Sequence, residues 1–150
     1  MQLFIPFALM VLHALTSVEG SYVARTMNGR SLPAELRIPV TQGDVRLFRL
    51  EQGVLRLGQG GRFTLHFRYY HQLVRRGERA VKTPVLSDSE AGTYSLSGGH
   101  LLLTPTKKKG ERKRPAIAAD LLGEEIRASY LLEDTDERVT LVLRRDTTFW

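Results

Sequence analysis

The strongest constraint on this chain is a two-residue period in GRFTLHFRYYHQL, residues 61–73. Phe63, Leu65, Phe67, Tyr69, His71 and Leu73 fall on one parity. Thr64, His66, Arg68, Tyr70 and Gln72 fall on the other. Successive strand side chains point to opposite faces, so this alternation predicts one long antiparallel strand with one buried face. A helix would need apolar positions three and four apart. The same parity separates His66 from His71. Five apart, they face opposite ways, and one metal ion cannot take both.

The period recurs along the chain. In TYSLSGGHLLLT, a Gly98-Gly99 loop sets Ser97 opposite His100, Leu96 opposite Leu101 and Tyr94 opposite Leu103. Those four apolar residues then share a face. Upstream, Leu55 and Leu57 alternate with Arg56, and Gly58, Gly60 and Gly61 permit a tight reversal. Near the end, Ile126, Ala128, Tyr130 and Leu132 alternate, as do Val139, Leu141 and Leu143. PAIAADLLGEEIRASYLLE also fits a helix, with Pro115 at its start and Leu122, Ile126 and Tyr130 four apart. Gly123 and the alternation on both sides favour strand, turn, strand. Strands are expected near 21–26, 35–40, 44–51, 54–58, 62–74, 80–86, 92–97, 100–105, 116–122, 125–132 and 138–145. Some merge to give about eight, so the fold class is all-β, an up-and-down barrel in preference to a sandwich. Closure removes exposed strand edges.

Length and composition set the compartment and class. The 150 residues, 42% hydrophobic and 25% charged, suit one globular domain. With no cysteine, the chain has no disulfide, thiolate metal site, cysteine nucleophile or lipidated cysteine. Leu3 to Leu15 is an apolar run broken only by Pro6 and His13, too short to span a bilayer comfortably. It reads as a signal peptide, residues 1–20, cut near Gly20–Ser21, with residues 21–150 as one barrel domain. None of the 22 lysines and arginines lies in residues 1–20, while Glu19 does, so the remaining chain would carry +7. An exported basic protein, periplasmic or extracellular, meets anionic surfaces favourably.

YVARTMNGRSLP, GGRFTLHFRYY, AGTYSLSGGHLLLTP and a closing VTLVLRR, in that order, resemble small exported bacterial lipocalin-like (calycin-type) domains. In those, Asn-Gly-x-x-Leu-Pro follows the first strand. A Gly-x-Phe-Thr strand start and a Gly-Thr-Tyr-x-Leu-x-Gly-Gly hairpin come later. The Gly-x-Trp of lipocalins is absent from the first strand, where Tyr22 and Val23 stand. The resemblance covers most of residues 21–145 and implies the fold. Many members have no assigned function.

Two sets of residues are candidates for binding. Phe63, Phe67, Tyr69 and Tyr94 share the core parity, and His71 closes that face near a barrel mouth. An eight-stranded barrel is either filled by side chains or holds one small ligand. The second set is the run TKKKGERKR. Lys107, Lys108, Lys109, Arg112, Lys113 and Arg114 make a basic loop between Pro105 and Pro115. No aromatic residue interleaves it, so specific nucleic-acid binding is not expected. EDTDE, residues 133–137, lacks the glycine and ligand spacing of a calcium loop and reads as a polar turn. No Gly-x-Ser-x-Gly elbow or carboxylate dyad is present, so neither catalysis nor a cofactor is expected.

The sequence thus points to an exported small β-barrel protein that binds a small apolar or amphipathic ligand, and a monomer is expected. The alternative is a cell-envelope module that binds anionic surfaces through the basic loop. An integral outer-membrane barrel is a minor alternative. It would have to turn Arg46, Arg56, Arg68, Arg127 and Arg144 toward lipid.

Overall fold

Alternation becomes antiparallel sheet throughout the computed structural model, which describes residues 17–40, 43–79, 86–132 and 135–148. The strands are β1 (Gly20–Met27), β2 (Arg30–Ser31), β3 (Ala34–Pro39), β4 (Val45–Gly58) and β5 (Arg62–Val74). They continue with β6 (Leu86–Ser97), β7 (His100–Pro105), β8 (Ile117–Leu122), β9 (Glu125–Leu131) and β10 (Arg138–Arg145). The stretch around Gly123 is strand, turn, strand. The expectations for residues 1–16, for a strand over 80–85, for Glu133 and Asp134 and for the terminal Phe149-Trp150 lie outside the described residues.

Neighbouring strands follow the order β2-β1-β10-β9-β8-β7-β6-β5-β4-β3, and β1 also pairs with β4. The last pairing, Gly20↔Leu57 to Val23↔Val54, closes β1 and β4–β10 into an eight-stranded antiparallel barrel. The Gly98-Gly99 hairpin has the expected register, with Ser97 opposite His100 and Tyr94 opposite Leu103. Asn28 (φ 51°) and Gly29 (φ 77°) form the two-residue turn after β1, the positive-φ pair that matches strand twist. The Asn28 side chain also accepts the Thr140 amide at 2.8 Å, which ties the turn to β10.

The interior is apolar. Tyr22, Leu55, Leu57, Phe63, Leu101 and Leu143 are among its fully buried side chains. Each contributes roughly 1.5–3 kcal/mol on leaving water. Gly92 is needed because a Cβ there would run into the Thr104 carbonyl oxygen and the Phe63 ring. That is the physical content of the Gly-Thr-Tyr motif.

One expected merger and two changes appear. The segments 44–51 and 54–58 are one strand, β4, with a register shift between Leu50 and Gln52. This bulge reverses the parity. Arg46 therefore lies on the same face as Phe48 and Leu50, toward the interior, and is half-buried. Arg56, Arg68, Arg127 and Arg144 stay on the exposed outer face. Leu73 has the core parity yet is 48% exposed. Among the described residues, the end of β5 beyond Tyr69 pairs with β4 alone and stands at the barrel rim.

A second bulge, between Ala24 and Thr26, bends β1 away from β4 just where their pairing stops. Beyond it β2 pairs with β1, and β3 pairs with the first half of β4. The barrel is thus splayed at one end. There the connections after β1, β3, β5, β7 and β9 gather. The other end is closed by tight turns and by residues 17–19.

Candidate functional site

At the closed end, Tyr22 is fully buried and donates from Oη to the Val18 carbonyl at 2.7 Å. Arg145 lies 5.3 Å from the centre of the Tyr22 ring. Its Nη2 donates to Tyr22 Oη at 2.8 Å and to the Ser17 carbonyl at 2.6 Å. Tyr94 Oη donates to the Gly58 carbonyl at 3.1 Å. Tyr94 and Phe63 belong to this filled end of the lumen. Burial raises the Tyr94 hydroxyl pKa above its ordinary 10.0, with Glu19 and Tyr22 adding smaller repulsive effects.

At the splayed end the filling stops short of the rim. Phe67, Tyr69 and His71 of β5, with Phe48, Leu50 and Val139, border a cavity of about 80 Å³. β5 supplies its three residues at alternate positions because all three keep core parity. Phe48 and Tyr69 stack at 5.3 Å between ring centres, and Phe67 meets Tyr130 edge-on at 5.0 Å. These pairs hold the wall rigid, each adding about 0.5–1.5 kcal/mol beyond area burial. His71, Asp88, Tyr130 and Thr135 supply the polar groups of the lining. Of the five residues singled out for the interior, the cavity brings Phe67, Tyr69 and His71 together. Phe63 and Tyr94 lie below, toward the closed end.

The basic loop sits beside this mouth. β7 and β8 are six residues each and fall short of β6 and β9 toward the splayed end. Residues 106–116 arch over the resulting gap in the wall. Arg114 turns inward from this loop. Its Nη2 lies 2.7 Å from Glu90 Oε1 and donates to Tyr130 Oη at 2.8 Å. Asp88 is 4.0 Å from Nη1. Glu90 is only 9% exposed. A buried carboxylate needs such a partner. Lys107, Lys108, Lys109, Arg112 and Lys113 remain exposed, while Arg114 is committed to the wall. A cleft of about 610 Å³ runs under the loop and shares Asp88, Leu132 and Thr135 with the cavity.

The three described histidines occupy separate surfaces. His66 Nδ1 is 2.7 Å from Ser89 Oγ and His100 Nδ1 is 2.8 Å from Asp120 Oδ1, both on the outer wall. Of the described histidines, His71 alone reaches the mouth.

Sequence reasoning missed Asp88, Glu90, Tyr130, Phe48 and the inward Arg46. Part of the signal was present. Asp88 and Glu90 share parity with Tyr94 and Leu96, so they fall on the core face of β6. Leu50 and Leu55 are five apart and can share a face only across a bulge. The Arg114 partnership had no local signal.

No protein-family model matches this chain, and neither a curated protein nor a solved structure matches it.

Proposed function

We propose that this chain is an exported, lipocalin-like barrel that receives a slender apolar or amphipathic group at its splayed end. The cavity bordered by Phe67, Tyr69 and His71 carries the reading. Its size decides the kind of guest. Pockets that bury a whole small molecule enclose roughly 300–1,000 Å³. About 80 Å³ accommodates the end of a chain or a small ring, with the rest of the guest outside. The polar groups of the lining suit an amphipathic guest.

The lipocalin-like assignment draws support from where the shared motifs fall. Asn28-Gly29 and Leu32-Pro33 flank β2, and Gly92-Thr93-Tyr94 meets the lumen floor. A spanning barrel is disfavoured by an apolar interior and an arginine-bearing outer wall. Lipid-facing arginine costs roughly 2–4 kcal/mol at the bilayer midplane.

Filling the cavity tests the reading. Val139→Phe should abolish the fluorescence gain of an apolar probe such as N-phenyl-1-naphthylamine while the chain stays folded by circular dichroism. Equal probe binding by the parent and the filled variant would defeat the proposal. So would the absence of binding to the parent.

A further inference from the structure

We infer that the splayed end is a docking face for an anionic lipid bilayer and holds the cavity mouth against the membrane. The orientation rests on the proposed role of the mouth as the place where a guest enters. The docking itself rests on charge and exposure.

Strand direction sorts the connections into two ends with different charge. The described connections of the splayed end carry nine lysines and arginines against five acids. Those of the closed end carry Glu19, Glu124 and Asp146 and no lysine or arginine. The excess is not the work of one loop. Arg75, Arg76 and Arg79 follow β5, and the Lys107–Lys113 run follows β7; all are exposed. Two loops far apart in sequence thus project cations from the same end. The second loop is held by the Arg114–Glu90 pair, so its cations are carried on an anchored arch.

Exposed aliphatic side chains accompany the cations. Val40 follows β3, Leu73 stands on the rim of β5 and Leu86 begins β6. All three lie at the splayed end. Cations flanking isolated aliphatic groups match a surface with anionic headgroups over an apolar layer. A soluble polyanion would use the cations and leave the aliphatic groups idle. A bilayer uses both.

Flotation with vesicles of phosphatidylcholine containing about one third phosphatidylglycerol tests docking at low and high salt. Binding should be strong at low salt, weak at high salt and absent on pure phosphatidylcholine. Each surface cation contributes roughly fivefold to binding. Replacing Lys107, Lys108 and Lys109 by glutamine should therefore weaken binding on the order of a hundredfold. Replacing Arg56, Arg127 and Arg144 on the outer wall by glutamine removes the same charge and should change binding little. Equal losses in the two triple variants would show that net charge alone is responsible and would overturn the docking face.

The cysteine-free chain permits a second readout by single labelling. An environment-sensitive dye at Leu73→Cys should brighten on these vesicles. The same dye at Leu122→Cys, 53% exposed at the closed end, should not. Brightening at both positions or at neither would overturn the orientation. Heparin binding as tight as vesicle binding, with no change at position 73, would favour a polyanion instead. Probe uptake without vesicles, measured on the same triple variants, reports the cavity separately. Absence of docking by the parent chain with uptake intact would therefore reject the docking face and leave the cavity reading standing.

Discussion

Tyr94 shows how one residue carries a pH dependence into the fold. Its hydroxyl is pushed above the ordinary 10.0, first by desolvation and then by Glu19 and Tyr22. As pH rises, the unfolded chain therefore loses this proton before the folded chain does. The stability tied to the group is complete below pH 10.0 and is lost as pH climbs through the raised value. Urea midpoints taken from about pH 9 to about pH 11 should fall. They should fall less steeply in Tyr94→Phe, and identical slopes would contradict the assignment. Tyr22 is different in kind. Its ring fills the closed end, and its hydroxyl joins Val18 to Arg145. Neither role is visible in the residue type alone.

Among the elements, the arch over residues 106–116 is tied to the wall by the Arg114–Glu90 pair. Removing the guanidinium in Arg114→Met would leave the Glu90 carboxylate buried beside Tyr130 without its 2.7 Å partner. The expected loss is about 3 kcal/mol. Chemical denaturation should also show that Glu90→Gln added to Arg114→Met restores part of it. Additive losses would mean that the two groups do not act on each other. The parity of β5, β6, β7, β9 and β10 was legible, because alternation within a strand is a local property. β4 was not fully legible. Its bulge between Leu50 and Gln52 reverses the faces; before it Leu47 and Phe48 are both apolar, and only pairing with β3 and β5 decides which of them turns inward. Leu73 follows the same logic. Parity chose its side, but its place at the rim, beyond the last described pair of β5 with β6, decided its exposure.

For the whole molecule, the N-terminal boundary is the sharpest prediction. A cut near Gly20–Ser21 would remove the Val18 and Ser17 carbonyls that Tyr22 and Arg145 use, and the Gly20↔Leu57 pair. Val18 also packs against the core. A chain beginning at Ser21 should be less stable than one beginning at Ser17 by about 1–3 kcal/mol. That corresponds to roughly 3–12 °C in Tm. On the proposed export, N-terminal sequencing of the processed chain should find a start at or before Ser17. Equal melting of the two chains would remove the reason for that expectation.

Taken alone, the sequence determined the strands, most of their inward faces and the two-glycine hairpin. Each follows from side-chain alternation and backbone freedom within a few residues. Tertiary structure decided the closure of β1 on β4, the inward turn of Arg46 and the capture of Arg114 by Glu90. It also gathered the two basic loops and the cavity at one end. These depend on residues tens of positions apart coming together, and on strand lengths relative to their neighbours. The energies that select such arrangements, desolvation and charge pairing, exist only once the barrel has closed.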